Sequence, residues 1–158
     1  MLAEMLRWLP FPPRSGRKYA RVENLVLDFG RPFIPQGKPK DIRWGKRGDC
    51  FRNALFLAGG KFIYCEGFAT TTGMTDLPVH HAWVCDRGGN VIDNTWREQG
   101  AEYFGVPFQF AFVMEILKSR GGVAGLLYGN GTQVWLVDGF PREAIWTDLE
   151  SSIAPRGD

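Results

Sequence analysis

Two runs of alternating residue types, joined by a glycine-rich turn, restrict most strongly how this chain can fold. Residues 79–85 (VHHAWVC) and 91–96 (VIDNTW) are rich in β-branched and aromatic side chains. This pattern predicts a β-hairpin. Gly89 can adopt the left-handed conformation that a three-residue loop with a bulge requires, which favours a register with Val91 opposite Cys85. A four-residue loop would instead shift the register by one residue and turn every side chain to the other face.

The other elements indicate an α+β fold with a mostly antiparallel sheet. Further strands are expected at 21–29, 62–69, 125–128 and 133–137, with an extended edge at 103–106, and helices at 1–9, 50–58, 108–119 and 141–149. The length of 158 residues suits one domain with a substantial core. We expect a single domain, 1–158, with a basic, proline-rich N-terminal arm over about residues 1–20.

One cysteine stands where a helix is expected to begin. Asp49 is a good N-cap, so Cys50 falls in the first helical turn. Unpaired backbone N–H groups and the helix dipole favour a thiolate there, which is the nucleophilic form of cysteine. The alternative is an ordinary buried cysteine, because cysteines are common in cores. Only a nearby base distinguishes the two interpretations.

The chain has two histidines, and they are adjacent. On a strand, His80 and His81 point to opposite faces, so only one can enter a site on the helix side of the sheet. We favour His81, because His81, Trp83 and Cys85 share one face and alternate with Ala82 and Val84, which would pack on the other face. His80 is expected to be a solvated residue at the end of a strand.

A third group must orient the histidine, and two neighbours are candidates. The three-residue hairpin loop places Asp93 diagonal to His81 on the same face. The four-residue loop places Asn94 there instead. We favour Asp93 and keep Asn94 as the alternative third member.

Three motifs occur in the order Cys, then His-Ala-Trp, then Asp-x-Thr. They are GDCFRNA at 48–54, HAWV at 81–84 and VIDNTW at 91–96. In this the sequence resembles the papain-like superfamily of cysteine enzymes, most closely its transglutaminase-like branch. The resemblance covers about residues 44–96 and leaves both ends of the chain unexplained.

The resemblance implies a papain-like fold and an acyl-thioester mechanism. Cys50 would be the nucleophile, His81 the general base and then acid, and Asp93 the orienting group. The substrate would be a peptide, a protein or a small amide or ester, with no metal and no cofactor. Papain-like members often supply an oxyanion donor upstream of the cysteine. No glutamine lies six residues before Cys50, and Trp44 is the nearest candidate.

Charge is distributed unevenly and suggests an alternative without catalysis. Residues 1–52 contain twelve Lys or Arg against five Asp or Glu, whereas residues 53–158 contain seven against twelve. A papain-like binding module could use this basic third to bind an acidic partner or nucleic acid. A solvated arm is the simpler interpretation, and nucleic acid is not the favoured partner, because the arm cations match no nucleic-acid motif. These cations are Arg14, Arg17, Lys18 and Arg21.

Several classes of site and location are not indicated. Three cysteines without C-x-x-C spacing predict neither a disulfide framework nor a zinc site, and fit a reducing, cytoplasmic compartment. No apolar run is long enough for a membrane span. The glycines of 121–131 form no phosphate-binding motif. We expect Glu66 to be a paired carboxylate rather than a substrate contact, and the sequence predicts no oligomeric state.

Overall fold

The fold is α+β, as expected. The structure, a computed structural model, describes residues 1–7, 16–122, 125–129 and 131–149. The helices are α1 (Leu2–Arg7), α2 (Val22–Phe29), α3 (Cys50–Leu57), α4 (Phe110–Ser119), α5 (Thr132–Asp138) and the 3₁₀ turn η1 (Arg142–Ala144). The strands are β1 (Arg31–Phe33), β2 (Ile63–Thr71), β3 (Met74–Cys85), β4 (Val91–Ile92) and β5 (Gly100–Phe108).

The five strands form one antiparallel sheet in the order β1-β5-β2-β3-β4. The long strands β5, β2 and β3 form its centre. The extended segment predicted at 103–106 is therefore part of an interior strand, and its assignment as an edge was wrong. The edge positions belong to the two shortest strands, β1 and β4.

The two faces of the sheet have different coverings. Tyr64, Phe68 and Val84 face the larger core, which contains buried residues of all five α-helices. Trp83 and Tyr103 face a smaller cluster covered by loop residues. His81 alternates with Ala82 and stacks against Trp83, so it lies on the loop-covered face. The expectation that His81 lies on the helix-covered face of the sheet was wrong, although the imidazole still interacts with Cys50 at the start of α3.

The hairpin register agrees with the three-residue loop. Cys85 pairs with Val91, and Gly89 has a φ of +77°. The second strand is much shorter than predicted, because Oδ1 of Asp93 accepts the backbone N–H groups of Thr95, at 2.8 Å, and Trp96, at 3.3 Å. These bonds form a local turn that takes the chain off the sheet.

Four further predictions of secondary structure were wrong. Residues 22–29 and 132–138 are helices rather than strands, 125–128 forms no strand, and 141–149 contains only the short turn η1. In α2 the buried residues Val22, Leu25 and Val26 lie on one helical face. Packing of that face against the core outweighs the strand preference of its β-branched residues.

The first seven residues are not a free arm. Leu2 and Leu6 of α1 are buried in the larger core. Residues 8–15, which complete most of the predicted arm, lie outside the described residues. Across the described ranges, every helix is too short or too polar to cross a lipid bilayer.

Candidate active site

Cys50 is the first residue of α3 and is only 9% exposed. The predicted N-cap Asp49 does not accept a hydrogen bond from the helix, and its carboxylate instead lies 3.6 Å from Arg52. Among the described residues, no acceptor binds the backbone N–H of Cys50. The first turn of α3 therefore presents a thiol beside a free backbone donor.

His81 is buried at the outer edge of β3. Strand β4 pairs only with Val84 and Cys85, so no described strand covers β3 at His81. The imidazole stacks on Trp96 with ring centroids 4.1 Å apart and planes inclined by 18°. Stacking fixes the plane of the ring and leaves its nitrogens for polar contacts.

Asp93 and Cys50 are the two side chains that raise the pKa of His81. Nε2 lies 2.8 Å from Oδ2 of Asp93. Cys50 is the second side chain that interacts with the imidazole. Burial lowers the pKa of His81, but hydrogen bonding and charge from Asp93 and Cys50 outweigh burial and raise the pKa to about 9. A protonated imidazole beside the thiol is therefore favoured at neutral pH.

Asp93 is held by more than the histidine. Its Oδ2 also accepts the hydroxyl of Tyr103 at 2.9 Å. Burial raises the pKa of Asp93, but the hydrogen bonds from His81, Thr95 and Tyr103 outweigh it and keep the pKa below its ordinary value. Burial and the charge of Asp93 raise the pKa of Tyr103 well above its ordinary value. Asp93 thus remains an acceptor and Tyr103 a donor.

The remaining two predicted site residues do not join this group. Nδ2 of Asn94 lies 3.4 Å from the carbonyl of Arg43, so Asn94 does not contact His81. Trp44 is 45% exposed, with Lys38 Nζ at 4.7 Å and Arg97 Cζ at 4.5 Å from its ring centroid. No contact between Trp44 and Cys50 is present among the described residues, so its oxyanion role stays a prediction.

Sequence reasoning missed Asn53, which fastens the loop before α3. Its Nδ2 donates to the carbonyl of Lys46 at 2.7 Å and to Oγ1 of Thr95 at 2.9 Å, while its Oδ1 accepts the N–H of Lys46 at 3.1 Å. Gly45 passes so close that a Cβ there would lie 2.3 Å from the Asn53 side chain. An asparagine in the middle of a helix was the available signal, because this residue usually seeks backbone partners.

His80 is partly buried and pairs with a carboxylate rather than standing free in solvent. Its Nε2 lies 2.8 Å from Oε1 of Glu66, which is fully buried. Glu66 also accepts the hydroxyl of Tyr64 at 2.9 Å and the backbone N–H groups of Leu126 and Leu127 at 2.7 and 2.9 Å. The prediction of a solvated His80 was wrong. Glu66 is indeed a paired carboxylate, and it anchors a glycine-rich segment to the sheet.

A cleft of about 350 Å³ includes Gly48, two residues before Cys50, and Trp96, which stacks on His81. Its lining residues are Arg47, Gly48, Thr71, Thr95, Trp96, Arg97 and Glu98. A larger cavity of about 780 Å³ lies between α4 and α5 and contains none of the predicted site residues. The smaller cleft is the candidate site, because it adjoins Trp96 and Gly48, whereas the larger cavity lacks the predicted residues. No cluster of three potential metal ligands is present in the described part of the chain.

Comparison with known proteins gives only distant similarity. No family model matches the chain, and no solved structure matches it. Proteins named probable Xaa-Pro aminopeptidase P from Arthroderma benhamiae and Trichophyton verrucosum are each 24% identical over 140 residues, 82% of this chain. One from Arthroderma gypseum is 26% identical over 94 residues, 58% of the chain. The chain spans about a fifth or less of the length of these proteins.

Proposed function

We propose that the protein is a cysteine-dependent hydrolase or acyltransferase of papain-like fold, closest to the transglutaminase-like branch. The observations that carry the proposal are the 2.8 Å contact between His81 and Asp93 and the interaction of Cys50 with the same imidazole, which contributes to its raised pKa. Each member has the role that nucleophilic catalysis requires: a nucleophile, a proton carrier and an orienting carboxylate. The substrate bond is an amide, an isopeptide or an ester.

The first half-reaction forms a thioester. The Cys50 sulfur attacks the carbonyl carbon, and the C–N or C–O bond of the substrate breaks. Protonated His81 gives its proton to the departing amine or alcohol, and Asp93 keeps the ring in the orientation that this transfer needs. The products are an acyl-enzyme on Cys50 and a neutral leaving group.

The second half-reaction restores the enzyme. Neutral His81 takes a proton from water or from an acceptor amine, whose oxygen or nitrogen attacks the thioester carbon. The carbon–sulfur bond then breaks and the Cys50 thiolate returns beside protonated His81. Water gives a hydrolase and an amine gives an acyltransferase.

The developing oxyanion needs hydrogen-bond donors. The backbone N–H of Cys50 is one donor, because it has no described acceptor and lies at the positive end of α3. Trp44 is the second candidate by resemblance alone. Both Asn53 Nδ2 hydrogens are already used for Lys46 and Thr95, so Asn53 serves the loop instead.

The distant relatives favour hydrolysis over transfer to a limited degree. Aminopeptidases are hydrolases, which agrees with the broad reaction class. Their low identity and much greater length transfer no substrate or mechanism to this chain.

A test of the proposal is to trap the acyl-enzyme. Incubation with p-nitrophenyl acetate should release nitrophenol in a burst equal to the enzyme concentration and leave one acetyl group on Cys50, located by mass spectrometry. Cys50→Ala should abolish both signals. Cys85→Ala, which removes a buried thiol outside the site, is the matched control. A full burst from the Cys50 variant would refute the assignment.

The alternative without catalysis is a binding module that uses the basic first third of the chain. Two of its cations are already engaged within the protein, because Arg17 donates to Gln133 and Lys18 lies 3.5 Å from Asp28. Arg14 lies outside the described residues. Salt-dependent affinity for nucleic acid, lost on neutralising Arg14, Arg17, Lys18 and Arg21, would favour this alternative.

A further inference from the structure

Positive charge is concentrated on the loop that leads into α3. Residues 38–47 contain five Lys or Arg and one acid, Asp41. Arg47 of this loop and Arg97 of the segment after β4 line the cleft beside Cys50. The cleft is therefore lined by arginines from two separate segments, and these two residues are called its cationic rim.

These two arginines have no counterion within the described protein. Neither Arg47 nor Arg97 forms an ion pair there. Glu98 lines the same cleft but pairs with neither arginine. Unpaired cations beside a concave surface raise the local concentration of anions.

Arg97 is also held in a defined position. Its guanidinium lies over the Trp44 ring, with Cζ 4.5 Å from the ring centroid. Its Nη2 donates to the carbonyl of Gly45 at 3.2 Å. Lys38 contacts the same indole. A guanidinium fixed in this way loses little freedom when its remaining N–H groups bind a planar carboxylate.

Two residues of the cleft wall are neighbours of the proposed catalytic pair. Gly48 in its wall precedes Cys50 by two residues, and Trp96 in its wall stacks on His81. The cleft is therefore placed as a candidate neighbouring subsite of Cys50 and His81.

We propose that this cleft is a subsite for a carboxylate of the substrate, so that the preferred acyl donor is an acidic peptide segment. The Asp or Glu side chain, or a terminal carboxylate, lies beside the bond under attack and pairs with Arg47 and Arg97. The inference rests on the proposed thiol chemistry of Cys50 and adds the class of substrate.

The test compares two thiol-directed probes that differ by one charge, N-iodoacetyl-aspartic acid amide and N-iodoacetyl-asparagine amide. Labelling rates of Cys50 are divided by the rates with 2-mercaptoethanol to remove intrinsic differences in reactivity. At low salt the aspartate probe should label Cys50 about tenfold faster, and at about 0.5 M NaCl the two rates should converge.

Variants show which cations cause the preference. Arg47→Gln and Arg97→Gln should each lower it about threefold, and Glu98→Gln should raise it. Arg97→Lys tests whether two-pronged binding by the guanidinium matters, because lysine keeps the charge and loses the planar geometry. Arg87→Gln is the matched control, because Arg87 is exposed and lines a cavity beyond the far end of α3. It should leave the preference unchanged.

Labelling by uncharged iodoacetamide distinguishes failure of the carboxylate subsite from failure of the proposed thiol chemistry. Rapid labelling of Cys50 by iodoacetamide with no preference for the aspartate probe would overturn the carboxylate subsite and leave the thiol chemistry intact. A preference that survives in both arginine variants would also overturn it. Cys50 that behaves as an ordinary thiol toward iodoacetamide would refute the proposed function, and the subsite with it.

Discussion

Nε2 of His81 lies 2.8 Å from Oδ2 of Asp93, and both side chains are almost completely buried. A buried charged pair is stable only when its remaining polar atoms are satisfied. Asp93 meets this condition through Tyr103 and two backbone N–H groups, and His81 through Cys50. The carboxylate is thus held in place from three sides, with the imidazole as one of its partners.

Asp93→Asn should slow alkylation of Cys50 at pH 6 by about tenfold or more, because an amide cannot stabilise the imidazolium as a carboxylate does. Tyr103→Phe is the matched control, since it removes one hydrogen bond from Oδ2 and keeps the charge. Its effect should be a few-fold at most. Iodoacetamide labelling followed by mass spectrometry measures both. Equal effects of the two substitutions would contradict an orienting role for the carboxylate.

The raised pKa of His81 predicts a specific pH dependence. Its proton stabilises the folded protein fully below the unfolded pKa of about 6.5, and this contribution is lost as pH rises through about 9. The ring protons of His81 should therefore titrate near pH 9 by NMR, and those of Asp93→Asn at lower pH. Titration of the wild-type ring near pH 6.5 would contradict the pairing.

Gly45→Ala should disturb the loop that leads to Cys50, because its Cβ would overlap the Asn53 side chain. We expect a loss of about 1–3 kcal/mol in the free energy of unfolding and several-fold slower labelling of Cys50. Gly37→Ala in the same loop is the control, since its Cβ meets nothing closer than 4.0 Å. Urea unfolding measures the difference. Equal stability of the two variants would contradict this account of Asn53.

Glu66→Gln should destabilise the protein by about 3 kcal/mol, because the amide nitrogen would face donors that now bind a carboxylate. Tyr64→Phe removes only one of these bonds and should cost about 1 kcal/mol. Labelling of Cys50 in the folded Glu66 variant should remain close to wild type. A large loss of Cys50 reactivity without unfolding would instead connect Glu66 to the site.

Local signals predicted the parts of the site that depend on turns and helix starts. Gly89 fixed the hairpin register, and that register selected Asp93 over Asn94. The start of α3 at Cys50 followed from Asp49, although the Asp49 side chain does not cap the helix. In each case one short stretch of chain determines the geometry.

Long-range packing determined what the sequence did not predict. Helix α2 has buried residues at helical spacing, but its β-branched composition indicated a strand. The pairing of Glu66 with His80 was accessible from the register of β2 against β3, in which Phe68 opposes His80 and Glu66 is its diagonal neighbour. The contacts of Tyr103 and Asn53 join segments far apart in the chain, and no local pattern indicates them.

The most direct test of the central claim is the pH dependence of Cys50 alkylation. Cys65 and Cys85 are fully buried, so their slow labelling alone proves little, and 2-mercaptoethanol serves as the reference thiol. We predict that iodoacetamide labels Cys50 rapidly and with little change in rate from pH 5.5 to 8. His81→Gln should restore the roughly tenfold fall per pH unit of an ordinary thiol, whereas His80→Gln should not. An ordinary thiol profile in the wild-type protein, or a flat profile that persists in His81→Gln, would contradict a Cys50–His81 pair.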